Sequence, residues 1–521
     1  MPKLTKLKKF YVTTPIYYVN DVAHLGHAYT TVAADVLARY YRTLLGGDKV
    51  YFLTGTDEHG AKIAQAAEKN KLTPQEWVDK KAAEFQMIWD RLDISQNDFI
   101  RTTESRHERI VIDFLKKLKK AKTPLGNPAI YEAEYQGLYC VGCESFKTED
   151  DLIDHKCPDH QTVCEIVKEN NWFLRLSDFG PKLKKLIDDG KFNILPEERR
   201  NEILGLIKTG LKDVAISRQH VKWGIPLPFD KKQVTYVWVD ALSNYITALG
   251  GPKGKLYKKF WPADIHLMAK DIIKFHATIW PAILLALKLP LPKMVFAHGF
   301  FTIDGQKMSK TIGNVIAPEE LIAKYGSDAT RYLLLAQFGF GTDGDFAKER
   351  LDNLYNSALA NEFGNLASRV LAMTEKYFAA EVPKYDVAYD KFFAFDLKTD
   401  WDRYDFFMSN LKFDEALNVV WENIRRCNVY IDKEKPWELA NSEDMDTLGN
   451  VLYNLLETLR QTAVMIWPFM PKTADNLLSQ LGFDPLKLKE KKIEELRKWG
   501  GIKLGQSISK GEALFPRLNK E

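Results

Sequence analysis

Two short patterns, set far apart in the chain, constrain it more than any bulk property. Lys9 to Ile16 is β-branched and aromatic and reads as a strand, while Ala28 to Tyr41 carries apolar residues at helical spacing. Between them stand His24, Leu25, Gly26 and His27, so both histidines are expected where a strand turns into a helix. Free backbone N–H groups at a helix start, with the helix dipole behind them, attract phosphate. A glycine between the histidines lets a ligand approach the backbone. Two imidazoles there, with no serine or cysteine nucleophile beside them, suit donation to charge developing on a phosphate. A pair of surface histidines would have the same spelling. The second pattern is Lys307-Met308-Ser309-Lys310, which follows a strand-and-turn stretch from Phe300 to Gln306. Two lysines on a turn are usually solvated charge. They can also form a mobile clamp on a triphosphate, because lysine is a flexible point charge.

Around these patterns the chain alternates strand and helix. Asp48 to Gly60 gives a second strand that ends in a polar turn, and Ala61 to Asn70 then reads as a helix. Polar residues at the carboxyl end of such a strand face the ligand crevice of a doubly wound sheet. Asp57 is therefore placed either to meet a cationic group or to cap the following helix. The rhythm lapses from about 120 to 225 and resumes with Thr235 to Tyr245, Asp264 to Ile272, the helix-like Ile273 to Leu287, and Met294 to Gly299. Beyond about 335 the character becomes helical. Leu417, Val420, Ile424, Cys427 and Ile431 repeat at spacings of three and four, as do Leu448, Leu452, Leu455, Leu459, Ala463 and Ile466. Such stripes are core positions of a helix bundle.

The interrupted region has its own chemistry. Four of the five cysteines fall between Cys140 and Cys164, which points to metal rather than to a disulfide scaffold. Cys140 and Cys143 form one pair at two-residue spacing, and Cys157 and His160 form another. That donor set suits a closed, tetrahedral, structural zinc site. Cys164 is either an alternative fourth ligand or a buried spare thiol.

Bulk properties exclude more than they assign. A length of 521 residues implies about two to four domains. With 45% apolar and 28% charged residues the chain is an ordinary globular one. No apolar run approaches the ~18 residues of a membrane span. The basic start from Met1 to Lys9 is too short for a targeting segment before the first strand, so a cytoplasmic location is expected. A net charge of +4 leaves room for a local basic face on nucleic acid without demanding one.

The histidine and lysine patterns, in this order and context, resemble the signature pair of the class I aminoacyl-tRNA synthetases. Asp57 within Thr54 to Gly60, the run Tyr236 to Tyr245, the cysteine pairs and the closing Leu514 to Arg517 resemble the methionine-specific branch of that family. The resemblance runs from about Phe10 to Arg517. It implies an α/β fold, a Rossmann-type doubly wound parallel sheet (1–119 and 226–334) split by a zinc-knuckle insertion (120–225). A stem-contact region and an α-helical anticodon-binding bundle (335–521) would follow.

By the same resemblance, Ile16, Tyr18, Asp57, Trp238, Ala241, Leu242, Tyr245, Ile272, His276 and Trp280 match the pocket for L-methionine. Asp57 would hold the ammonium group, the aromatics would pack a polarizable thioether, and Tyr245 and His276 would offer it a weak hydrogen bond. His24, His27, Asp271, Lys307 and Lys310 match positions that bind ATP, with Mg2+ accompanying the nucleotide. Ala269 departs from the family, which often has glycine beside the Lys270-Asp271-Ile272 run. In the helical part Asn365, Arg369 and Trp437 match elements that read the anticodon of tRNA(Met), Trp437 by stacking and the other two by hydrogen bonds. No large editing insertion fits, unlike in the isoleucine, valine and leucine enzymes. A monomer is expected, because some members add a C-terminal dimerising domain and this chain stops at Glu521.

Overall fold

The computed structural model describes residues 7–140, 145–147, 152–158, 161–307, 315–386 and 391–518. The chain opens with β1 (Phe10–Thr13), β2 (Tyr17–Tyr18), α1 (Leu25–Leu45) and β3 (Val50–Asp57), followed by α2 (Ala61–Lys69), α3 (Pro74–Arg91), β4 (Asp98–Arg101) and α4 (Ser105–Leu118). Every residue of β3 is buried, as expected of a parallel strand covered on both faces. A β-rich excursion follows: β5 (Ile130–Cys140), β6 (Ser145–Lys147), β7 (Glu165–Leu174), α5 (Gly180–Asp188), β8 (Asn193–Leu195), α6 (Glu197–Thr209) and β9 (Val214–Ala215). Strands β5, β6, β7 and β9 make a separate antiparallel sheet, which is the observed form of the insertion.

The chain then adds a small sheet, β10 (Ser217–Arg218), β11 (Pro226–Leu227) and β12 (Asp230–Thr235), before α7 (Val237–Leu242), α8 (Asn244–Thr247) and α9 (Lys255–Phe260). It rejoins the main layer with β13 (Ile265–Ala269), a wide π turn at Phe275–Ile279, α10 (Trp280–Ala286) and β14 (Met294–His298). The main sheet has seven strands in the order β2-β3-β1-β13-β14-β8, with β4 also on β3, and each pairing is parallel. Strand β8 comes from inside the expected insertion, yet it pairs with β14 and forms the sheet's far edge. Chain order runs one way from β1 to β3 and the other way from β13 to β14. The crevice at the carboxyl ends of these strands is therefore the switch point where ligands bind in such sheets.

After β15 (Phe301–Ile303) and β16 (Gln306–Lys307), a hairpin, come α11 (Pro318–Tyr325) and α12 (Ser327–Leu335). The helical region is delayed by β17 (Gly344–Asp345), which pairs in parallel with β15. It then runs through α13 (Lys348–Leu354), a π-helical stretch at Tyr355–Gly364, α14 (Asn365–Phe378), α15 (Lys391–Ser409), α16 (Phe413–Glu434), α17 (Pro436–Asn441), α18 (Met445–Ile466) and α19 (Pro471–Gln480). Both apolar stripes read from the sequence are buried, on α16 and α18. Among the described residues no helix is long and apolar enough to cross a membrane.

One buried joint ties the helical region to the sheet layer. Arg331 on α12 is fully buried and donates to the carbonyls of Phe469, Pro468 and Leu92. It also pairs with Asp35 of α1 at 2.7 Å, and Arg39 meets the same carboxylate at 2.7 Å. Burial alone would raise the Asp35 carboxyl; the charges of Arg39 and Arg331 overcome it and bring it down to about 2. Removing one partner of a buried pair strands the other charge, so Arg331→Met should cost about 3–5 kcal/mol in urea unfolding. The Asp35 contribution is fully present above the ordinary carboxylate range and should disappear as pH falls from about 4 towards 2, which acid unfolding of wild type against Asp35→Asn would show.

Candidate functional site

The switch-point crevice is a cavity of about 730 Å³. Its floor is the start of α1. A helix leaves its first N–H groups without partners, and here histidine side chains supply them. His24 is the extended N-cap residue. Its Nδ1 accepts from the Gly26 N–H at 3.1 Å, and His27 Nδ1 accepts from the His24 N–H at 3.2 Å. The two rings stack with centroids 3.7 Å apart. A Cβ on Gly26 would sit 3.0 Å from the His24 ring, so glycine keeps this cap closed. Because each Nδ1 accepts, the neutral tautomer carries its proton on Nε2. Both imidazoles are thereby fixed as Nε2–H donors. Burial holds His24 down at about 4; burial and then His24 hold His27 well below the ordinary range.

One end of the cavity is aromatic and apolar. Trp238 stacks on Phe275 at 3.9 Å and meets His276 edge-on at 6.1 Å. Tyr245 Oη lies 2.7 Å from His276 Nε2, and His276 Nδ1 lies 3.0 Å from the Ile272 carbonyl. The carbonyl fixes the tautomer: Nδ1 donates, and Nε2 accepts the Tyr245 proton. Burial then pushes His276 down to about 4. Ile16, Tyr18, Ala241, Leu242 and Ile272 complete this wall, with Asp57 at its margin. The cap of α2 is Gly60 without a side-chain bond, so Asp57 is not the cap of that helix and lines the cavity instead.

Trp280 does not reach the cavity wall. It is fully buried one layer behind, packed on Tyr245 and Trp261. The wall itself is pinned from behind by Asp240 on α7, which bridges His59 Nδ1 and His107 Nε2, each at 2.7 Å. Burial would raise this carboxyl, but the charge of His59 and the His107 bond hold it at about 2.

The other end of the cavity is polar. Asp271 lines it beside His24 and His27. Thr30 and His298, which the sequence reading did not single out, meet there at 2.6 Å. His298 ends β14 as Asp57 ends β3, so the carboxyl-end rule was the signal that could have found it. Lys270 and Asp343 also line this end, paired at 2.6 Å. The Lys307 backbone closes the β15–β16 hairpin, while Lys310 lies outside the described residues.

Two groups stand apart from the cavity. Cys140, Cys157 and Cys164 share a small buried cluster with Leu138 and Leu152. Cys143 and His160 lie outside the described residues. In the helical region Asn365 begins α14 and is exposed, Arg369 faces Asp432 of α16 at 3.6 Å, and Trp437 on α17 is exposed.

Comparison with known proteins identifies the family. The family model for tRNA synthetases class I (M) matches residues 10–166 and 148–371, and that for the anticodon-binding domain of tRNA ligase matches 397–505. The methionine–tRNA ligase of Caldanaerobacter subterraneus subsp. tengcongensis is 47% identical over 99% of this chain and 80% of its own length. That of Thermotoga maritima is 43% identical over 98% and 80%. A solved Mycobacterium tuberculosis methionyl-tRNA synthetase in complex with methionyl-adenylate superposes with a TM-score of 0.90 at 35% identity, covering 98% of this chain and all of that one.

The neutral histidines give a direct test. His24 should titrate by NMR with a midpoint near 4 rather than 6.5. A base that protonates more readily once unfolded removes stability as pH drops, so the loss should run from 6.5 down to about 4.

Proposed function

Because this chain belongs to the class I tRNA synthetases of the methionine type, we propose that it activates L-methionine with ATP and passes the methionyl group to tRNA(Met). The observation that carries this is one cavity with an aromatic, apolar end and a polar end that holds the His24–His27 cap. Methionine's ammonium group is held by Asp57, and its side chain lies against Tyr18, Trp238 and Tyr245. Its carboxylate oxygen attacks the α-phosphorus of ATP. A new O–P bond forms, the bond to the β-phosphate oxygen breaks, and pyrophosphate leaves.

Charge moves onto the phosphate oxygens in that step. The Nε2–H groups of His24 and His27 meet it as preorganised donors, and the Lys307 and Lys310 ammonium groups add mobile positive charge. The two imidazoles are neutral donors at rest, so they need not lose a proton before they act. Part of the nucleotide's phosphate charge would be neutralised by the Mg2+ that accompanies it. No covalent enzyme intermediate is required. The 3′-terminal ribose hydroxyl of tRNA then takes the methionyl group from the adenylate and releases AMP.

Two supporting roles follow. Cys140, Cys143, Cys157 and His160 hold a structural zinc; the burial of Cys140 and Cys157 together suits soft donors around one ion. Trp437, exposed on α17, stacks an anticodon base, with Asn365 and Arg369 donating hydrogen bonds.

Pyrophosphate exchange with each of the twenty amino acids separately should respond to methionine alone. It should fall by about 100-fold or more in His24→Ala, the usual order for a lost transition-state donor; equal exchange with another amino acid would refute the methionine assignment. Trp437→Ala should keep exchange while lowering kcat/KM for tRNA by about 5- to 150-fold, since one stacked base contributes ~1–3 kcal/mol. Purified protein should carry one zinc per chain and lose it in Cys143→Ala.

A further inference from the structure

A segment from between α12 and α13 is fastened across the nucleotide end of the cavity. Gly299 lies so close beneath it that a Cβ there would fall 2.3 Å from the Thr342 carbonyl carbon. β17 pairs with β15, with Phe301 opposite Gly344 and Thr302 opposite Asp345. The Phe300 N–H donates to Asp343 at 2.8 Å, and the same carboxylate holds the Lys270 ammonium. Asp345 does something different. A single oxygen, Oδ1, accepts from the Thr302 hydroxyl at 2.6 Å and from the Gly305 N–H at 2.7 Å. Thr302 lies on β15 and Gly305 within the turn into β16, so one carboxylate ties the strand to the turn that leads to Lys307.

The Thr302 hydroxyl and then the Gly305 N–H hold the Asp345 carboxyl below its ordinary range, so it stays ionised at neutral pH. Beyond Asp345 the chain enters α13, where Leu351 joins the large core shared by α1 and the helical region. The described hydrogen bonds of residues 342–346 run to Gly299–Gly305 and Lys270 or stay within their own turn, and none reaches Trp238, Tyr245 or His276.

We propose that Asp345 is a positioning residue for the nucleotide: by fixing the turn at Asp304–Gly305 it sets where the hairpin presents Lys307, and it acts on ATP rather than on methionine. This rests on the adenylate-forming function above. Asp345 touches no substrate; its effect passes through Thr302 and the hairpin. A misplaced binding group costs much more than its own hydrogen bond. The same two bonds also fasten the nucleotide end to the start of the helical region.

The test compares Asp345→Ala, Asp345→Asn and Thr302→Val with wild type in methionine-dependent pyrophosphate exchange. Equilibrium dialysis against a non-hydrolysable ATP analogue gives a second readout that needs no turnover. In Asp345→Ala the KM for ATP should rise about 10-fold or more while that for methionine stays within about 2-fold. Asp345→Asn keeps an oxygen that accepts the same two bonds and should restore nucleotide affinity to within about 3-fold of wild type. Thr302→Val removes one donor and should fall between them, which keeps the test decisive if the alanine variant folds poorly. Unchanged ATP affinity in Asp345→Ala, an equal rise in both KM values, or an asparagine variant as weak as alanine would each overturn the proposal. If wild type exchanged with an amino acid other than methionine, the substrate assignment would fail and the ATP comparison would still decide this one.

Discussion

Helix α1 begins where side chains accept from the backbone N–H groups of its first turn, and those side chains are the imidazoles on the cavity floor. This couples two requirements in one place. The cap needs each Nδ1 as an acceptor, and that leaves each Nε2 as a donor. Stacking and burial keep both rings neutral and fixed. A group that must meet developing phosphate charge gains most when it needs no reorganisation at that moment. Here the folding requirement itself provides the orientation, and Gly26 permits it by leaving room for the His24 ring.

From that cap α1 runs back through the molecule as a rigid rod. Its first turn faces the cavity, its middle carries Asp35 into the joint with Arg331, and near its end Tyr40 donates to Asp405 of α15. Arg331 in turn holds the carbonyls that close α18 against α19. A second connection leaves the polar end of the cavity, where β17 joins the hairpin to α13. The helical region is thus tied both to the histidine helix and to the lysine hairpin. Trp437 is exposed on α17, whose Leu439 and Ala440 pack on the core that also holds residues of α1 and α12.

Much of this was legible in the sequence because it rests on local patterns. The strand–helix junction, the parallel core strands and the two apolar stripes of α16 and α18 follow from periodicity. What was not legible depends on contacts distant in sequence. β8 is three residues before a proline and acquires its place only by pairing with β14. Ile273 to Leu287 is helix-like throughout, so nothing local announces the π turn from Phe275 to Ile279 that carries His276. Trp280 matched the pocket by resemblance, yet Tyr245 stands between it and the cavity. Histidine is an uncommon cap residue, so the cap of α1 could be seen only in the fold. Asp345 finds its donors at Thr302 and Gly305, and no spacing rule joins them.

The most direct test of the account is a crystal structure with a non-hydrolysable methionyl-adenylate analogue. It should place a non-bridging phosphate oxygen within hydrogen-bond distance of Nε2 of His24 or His27, with both Nδ1 atoms still capping α1. A phosphate held elsewhere, or a ring turned so that Nδ1 faces the ligand and the cap is broken, would contradict it.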